Sequence, residues 1–453
     1  MGRRGFMASA GAALAVRPAR AGLFTDLRAE PGTAQLAPPE YDPTPIWGYG
    51  GGVPGPEIRV PKGGRVTRRL VNSLPQDTSI HWHGIRIVNA MDGVPGITQD
   101  AVPPGGSFDY SFEVPDAGTY WYHPHNRTWE QMARGLYGSL VVEEPAPPEV
   151  DADQVLLIDD WLFDADATLF DSLGSLRDWS HAGRIGNWVT VNGDGDWRRE
   201  VRQGQRLRLR LANTANARIF ELRLRGFRAW EIALDGQPLA SPRAVSELTL
   251  APAQRVDLVA DVTAAPGETA HILEPDAQGL LGVAAFPVTG RERAPDLPAP
   301  QALPPNRVPP LGDLSSARTV QLRMAGGAMG GMAQAMSGGQ MKSARALAQE
   351  RRLWAFNGHA DLQDSPLIHA DIGETIRIAM INDTAWPHAM HLHGHHFRPI
   401  GPDGPEDLRD TALVHRGETV EIAFVADNPG DWLVHCHMLE HSASGMMTWI
   451  RVG

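Results

Sequence analysis

Between Gly204 and Asn213 the chain alternates strictly: Leu207, Leu209 and Leu211 take one parity, and Arg206, Arg208 and Arg210 take the other. A period of two is that of a half-buried strand, whose successive side chains leave on opposite faces. The same frame recurs from Gly63 to Asn72 and from Gly373 to Asn382, each a glycine followed nine residues later by an asparagine, with an alternating strand between. The copies start 141 and 169 residues apart, a spacing that suits β-sandwich domains. The pattern predicts an all-β chain of three such domains, at 22–145, 146–290 and 315–453. Pro145, Pro147 and Pro148 close the first, and seven prolines from Pro295 to Pro310 mark a linker at 291–314.

Composition agrees with many short strands joined by turns, since the 453 residues include 48 Gly and 37 Pro. The formal charge of −12 argues against a nucleic-acid partner, because a phosphate backbone needs a basic face. The N-terminus changes that figure. Gly2-Arg3-Arg4-Gly5-Phe6-Met7, a weakly apolar stretch and Ala19-Arg20-Ala21 resemble a twin-arginine export signal over residues 1–21. Its removal takes four arginines and no acid, leaving the exported chain near −16. No other segment approaches 18 continuous apolar residues, so no membrane insertion is expected after export, and the location expected is the periplasm.

Seventeen histidines should give fewer than one His-x-His pair by chance, and the chain has five. On a strand each pair presents two imidazoles on one face. His81-Trp82-His83-Gly84 in the first domain is answered by His391-Leu392-His393-Gly394 in the third. His123-Pro124-His125 follows the first pair by 42 residues, and His435-Cys436-His437 follows the other by 44. The second copy has Asn216-Ala217-Arg218 after its strand and no such pair, so domain two is expected to hold the others in register. Facing pairs from domains one and three would gather eight imidazoles, a donor set that suits zinc, copper, iron or nickel. Cys436, the only cysteine, lies between two candidate ligands and so points away from them on a strand. With His388, His441 and Met446 it completes two His, one Cys and a weak axial Met, an electron-transfer copper arrangement.

These four signatures resemble those of the three-domain multicopper oxidases, which include laccases, bilirubin oxidases and bacterial copper-efflux oxidases. The match covers roughly residues 45–145 and 353–453. It implies three cupredoxin-like Greek-key β-sandwich domains in series and four copper ions. By resemblance the type 1 copper takes His388, Cys436, His441 and Met446, and the type 2 copper takes His81 and His391. The type 3 pair takes His83, His123, His125, His393, His435 and His437. Asp92 matches an acid that assists proton delivery, whereas Ser442 stands where copper-efflux oxidases carry a second proton-relaying Glu. The implied activity is one-electron oxidation of a reductant coupled to four-electron reduction of dioxygen to water, by a monomer.

The reductant is read from five of the chain's 14 methionines: Met324, Met329, Met332, Met336 and Met341. Thioethers are soft ligands that favour Cu(I), so a mobile segment at 324–341 could gather Cu(I) for a cuprous oxidase serving copper tolerance. The alternative for the segment is a flexible loop with a short apolar helix. Trp386, two residues before His388, points instead to a laccase acting on phenols or aromatic amines. A non-catalytic copper-binding or structural protein is the remaining possibility.

Overall fold

The computed structural model describes residues 24–276 and 279–453, so the expected export signal lies outside the described residues. Each repeat strand runs through the inside of a sheet. Arg65–Asn72 pairs in parallel with the opening strand Thr25–Ala34 and antiparallel with Ser107–Glu113. Arg206–Asn213 does the same with Ala152–Trp161 and Arg255–Val262, and Thr375–Asn382 with Arg318–Gly326 and Thr419–Val425. A second sheet completes each unit, giving four and four strands, then six and five, then six and five. The architecture is all-β, with three sandwiches in series. No helix among the described residues is long and apolar enough to cross a membrane.

The repeated residues do the same work three times. Gly63, Gly204 and Gly373 take φ of +75°, +84° and +87°, a left-handed turn that a Cβ resists. Nine residues on, the asparagine is buried at the strand's end. Its Oδ1 accepts from the backbone N–H two residues later, that of Leu74, Ala215 or Thr384. Its Nδ2 donates across the domain to the carbonyl of Val102, Leu250 or Val414. Such a buried amide is stable only because its partners are supplied at fixed positions, which ties the asparagine to the turn.

The alternation at 206–211 needs a correction. Arg208 and Arg210 are as buried as the leucines, at 0% and 1% exposure. Domain one docks on their face. Arg208 forks onto Glu144 at 2.6 and 2.9 Å and onto Asp257 at 2.6 Å, while Arg210 holds Asp153 at 2.7 and 2.8 Å and Thr119 at 3.0 Å. The leucines form domain two's own core with Leu258 and Phe286. The apolar faces of domains one and three instead merge into one core containing Leu70, Trp82, Met390 and Trp432. The proline-rich run, free of strand and helix from 292 to 317, is stitched down by Asn306, which bonds Ala117, Gln237 and Lys62.

Candidate metal centre

The two histidine-bearing hairpins repeat in register. His81 lies opposite His123 where the strand His81–His83 meets Gly118–His123. His391 lies opposite His435 where His388–Leu392 meets Gly430–Cys436. The merged core brings the hairpins face to face across the domain boundary. The rings of His83 and His391 stack at 3.8 Å, and those of His81 and His393 approach to 3.9 Å. His123 and His437 bring Nε2 atoms within 3.5 Å, and His393 and His435 within 3.1 Å; His125 sits 5.1 Å, ring to ring, from both members of the latter pair. All eight histidines come together.

The hydrogen bonds leave ligand atoms over. His81 and His391 spend Nδ1 on the carbonyls of Asp92 and Asp410, at 2.9 and 2.8 Å, and their buried Nε2 atoms have no partner. His125 Nε2, His437 Nδ1 and His83 Nδ1 are likewise unpartnered. Unpaired buried polar atoms are costly, and metal ions bound among these histidines would satisfy them. Donor atoms of His81, His391 and His393, and those of His125, His393 and His435, lie within 4.8 Å of one another. Burial, reinforced by neighbouring imidazoles, pushes His83, His123, His125, His391, His393 and His437 well below the usual histidine range. They are held neutral, the form that ligates.

A second set lies on the other face of the same strand. Cys436 Sγ is 3.6 Å from His388 Nδ1 and 3.8 Å from His441 Nδ1, with the two Nδ1 atoms 3.1 Å apart. His441 Nε2 donates to the carbonyl of His181 at 2.7 Å, and His388 Nε2 meets Thr384 Oγ1 at 2.8 Å. Both inner nitrogens therefore turn lone pairs toward the sulfur. Burial lowers His441 to about 3 and raises the thiol to about 12, so a metal ion must displace the thiol proton. Met446 is fully buried, and its carbonyl accepts from Cys436 N–H at 3.1 Å. The donors fit two distinct metal sites, joined through the backbone on either side of Cys436.

Asp92, 1% exposed, lies between His81 and His393. It accepts from His393 Nδ1 at 2.9 Å and keeps its other oxygen 3.2 Å from His81 Nδ1. Sequence reasoning missed Asp410, Arg255 and Asp235, a buried ionic chain behind His83 and His391, and it missed the peptide carbonyl of His181. None of these carries a spacing signal. His395 and His396 are both buried beside the cluster's strands.

The methionines do not form one cluster. Met324 is fully buried in the strand Arg318–Gly326 and belongs to the sandwich core, so it is not part of a mobile segment. Met332 packs against the small cluster around Ala335 and Leu347. Met336 and Met341 pair across a hairpin, Gln334–Ser337 with Gln340–Ser343, where a helix was the alternative. Met329 is 80% exposed on a loop pinned at Ala328, whose N–H donates to Ser180 and whose carbonyl accepts from the Trp386 indole.

Three segments of the chain, 32–147, 152–269 and 335–453, match family models described as multicopper oxidase. The multicopper oxidase MmcO of Mycobacterium tuberculosis is 32% identical over 432 residues, covering 88% of this chain and 82% of the relative. The copper resistance protein A homolog of Pseudomonas syringae pv. tomato is 25% identical over 522 residues, covering 89% and 88%. A crystal structure of a multi-copper oxidase from Pseudomonas thermotolerans aligns with a TM-score of 0.82 at 33% identity, covering 94% of this chain and 98% of that one.

Proposed function

The chain belongs to the multicopper oxidase family, and from that premise we propose that it is an exported, periplasmic cuprous oxidase. His388, Cys436, His441 and Met446 would hold a type 1 copper, and His81 and His391 a type 2 copper. The type 3 pair would be held by His83, His123 and His437 on one side and by His125, His393 and His435 on the other. Bound there, four coppers would supply one-electron acceptance from the donor and four-electron reduction of dioxygen to water. The protein's part is to hold neutral imidazoles, exclude bulk water and link the two sites through Cys436. Asp92 places a carboxyl group beside His81 and His393, where it would relay the protons that oxygen reduction consumes. A cavity of about 290 Å³ lined by His125, His435 and Ser442 gives dioxygen a way in.

The observation that carries the cuprous reading is the exposed Met329 on a loop pinned to Trp386, two residues from His388. Met336, Met341 and the adjoining His359 extend a soft-ligand surface along the same segment. The outer edge of His441 is covered by the His181 peptide, which favours a small donor at the surface over an aromatic ring stacked on the imidazole. The name of the Pseudomonas syringae relative, copper resistance protein A homolog, points the same way. The second reading, a laccase, rests on Trp386 and His181, whose rings lie 5.3 Å apart and could face a phenol.

Met329, Met336 and Met341 replaced together by leucine keep volume and lose the thioethers. Oxygen uptake with Cu(I) is expected to fall about tenfold, the equivalent of roughly 1.4 kcal/mol of donor binding, while uptake with a phenol is unchanged. Equal rates with Cu(I) before and after would remove the cuprous assignment and leave the laccase.

A further inference from the structure

Domain two carries no candidate ligand, yet it reaches the histidine cluster. The path starts at Asp235, fully buried, whose carboxylate accepts the backbone N–H of Arg255 at 2.9 Å and those of Asp410 and Thr411 at 3.3 and 3.4 Å. One domain-two carboxylate thus ties its own strand Arg255–Val262 to domain three. The Arg255 guanidinium then forks onto Asp410, with Nη1 to Oδ1 at 2.9 Å and Nη2 to Oδ2 at 2.5 Å, and also donates to the carbonyls of Thr119 and Ala253. Asp410 in turn contacts both sides of the cluster. Its Oδ1 lies 3.3 Å from His83 Nε2, and its carbonyl accepts from His391 Nδ1.

His83 is the one of the eight whose Nε2 faces a carboxylate, although the buried Nδ1 of His437 is unpartnered as well. His81, His123, His391, His393 and His435 all engage Nδ1 with a backbone carbonyl or a carboxylate, leaving Nε2 to face the cluster. His83 does the reverse: Nε2 faces a carboxylate, and the buried Nδ1 is unpartnered. A carboxylate locked by a bidentate arginine can only accept, so it requires the proton on His83 Nε2 and frees the Nδ1 lone pair. Gly84 gives the clamp its access. A Cβ there would collide with Arg255 Nη2 and lie 2.6 Å from Asp410 Oδ2. The glycine of the first His-Trp-His-Gly run, already favoured by its φ of +84°, also leaves room for the arginine reaching in from the neighbouring domain.

We infer that Arg255 and Asp410, locked by Asp235, are positioning residues that fix the His83 tautomer, so that domain two sets the metal-binding atom of a domain-one ligand. The inference rests on the copper reading for its consequence, and on the hydrogen bonds alone for the tautomer. Partners behind a ligand of this kind are worth about 10- to 100-fold in metal affinity.

The test uses the copper-loaded full chain. Asp410→Ala removes the acceptor but strands a buried arginine, so Arg255→Met with Asp410→Ala is made as the charge-balanced partner. Titration with a copper chelator is followed by total copper and by the blue absorbance. The paired variant is expected to lose copper from the histidine cluster at about 10- to 100-fold lower chelator, with the blue absorbance lost at the wild-type concentration. In the metal-free protein, ¹⁵N-histidine spectra are expected to show His83 protonated at Nε2 in wild type and not in the variant. Superimposable release curves with an unchanged His83 tautomer would overturn the inference, as would parallel loss of blue and colourless copper, which marks general loosening. A wild-type chain that takes up no copper would defeat the copper reading instead, and the spectra of the metal-free protein would still decide the tautomer.

Discussion

Cys436→Ser is expected to bleach the copper-loaded protein and reduce its oxygen uptake to background while the chain stays folded. The sulfur lies within 3.8 Å of both His388 Nδ1 and His441 Nδ1, and its strand neighbours turn to the other face. Serine matches cysteine in shape but offers a hydroxyl, a hard and weakly acidic donor, in place of a thiolate. The buried hydroxyl keeps His388 Nδ1, His441 Nδ1 and the Met438 N–H as partners, so its cost in stability is expected to be about 1 kcal/mol. The histidines flanking it keep their geometry, so copper in the cluster is expected to remain. Visible absorption, copper content and oxygen uptake on one preparation check all three statements. A blue variant, or one that turns over at the wild-type rate, would show that Cys436 lies off the electron path.

Arg208→Met is expected to cost about 3–5 kcal/mol of unfolding free energy, the range for removing one partner of a buried ion cluster. Glu144 of domain one and Asp257 of domain two would both lose their closest cation, and both side chains are almost fully buried. Arg210, 3.3 Å from Asp257, compensates only part of the charge. Denaturant unfolding of the two chains measures the difference, and adding Glu144→Gln to Arg208→Met should recover a fraction of it. A loss below about 1 kcal/mol would mean that water already screens the cluster, as at a surface pair.

These cases mark where the sequence was legible. The Gly-to-Asn frame was readable because a left-handed turn and a buried amide each demand one residue type at one position. The histidine pairs were readable because they recur at matched spacing in two hairpins that the fold brings face to face. The arginines of 206–210 were not readable as buried, since alternation reports which face is apolar and not what docks on the other. Met324 was miscounted because a window of composition crosses from the core strand Arg318–Gly326 into a surface loop. Asp235, Arg255 and Asp410 were invisible for a third reason: no spacing links a domain-two strand to a domain-three turn, and only the packed domains bring them behind His83.

The same packing makes the cluster a joint product of domains one and three, and on the proposed reading the domains' association is what would permit four electrons to be delivered together. The most direct measurement is the number of Cu(I) ions oxidised per dioxygen consumed, with peroxide assayed in the same vessel. The account predicts four Cu(I) per dioxygen and no peroxide. Two Cu(I) per dioxygen with peroxide accumulating would contradict it, because oxygen would then be reduced without a working cluster between the domains.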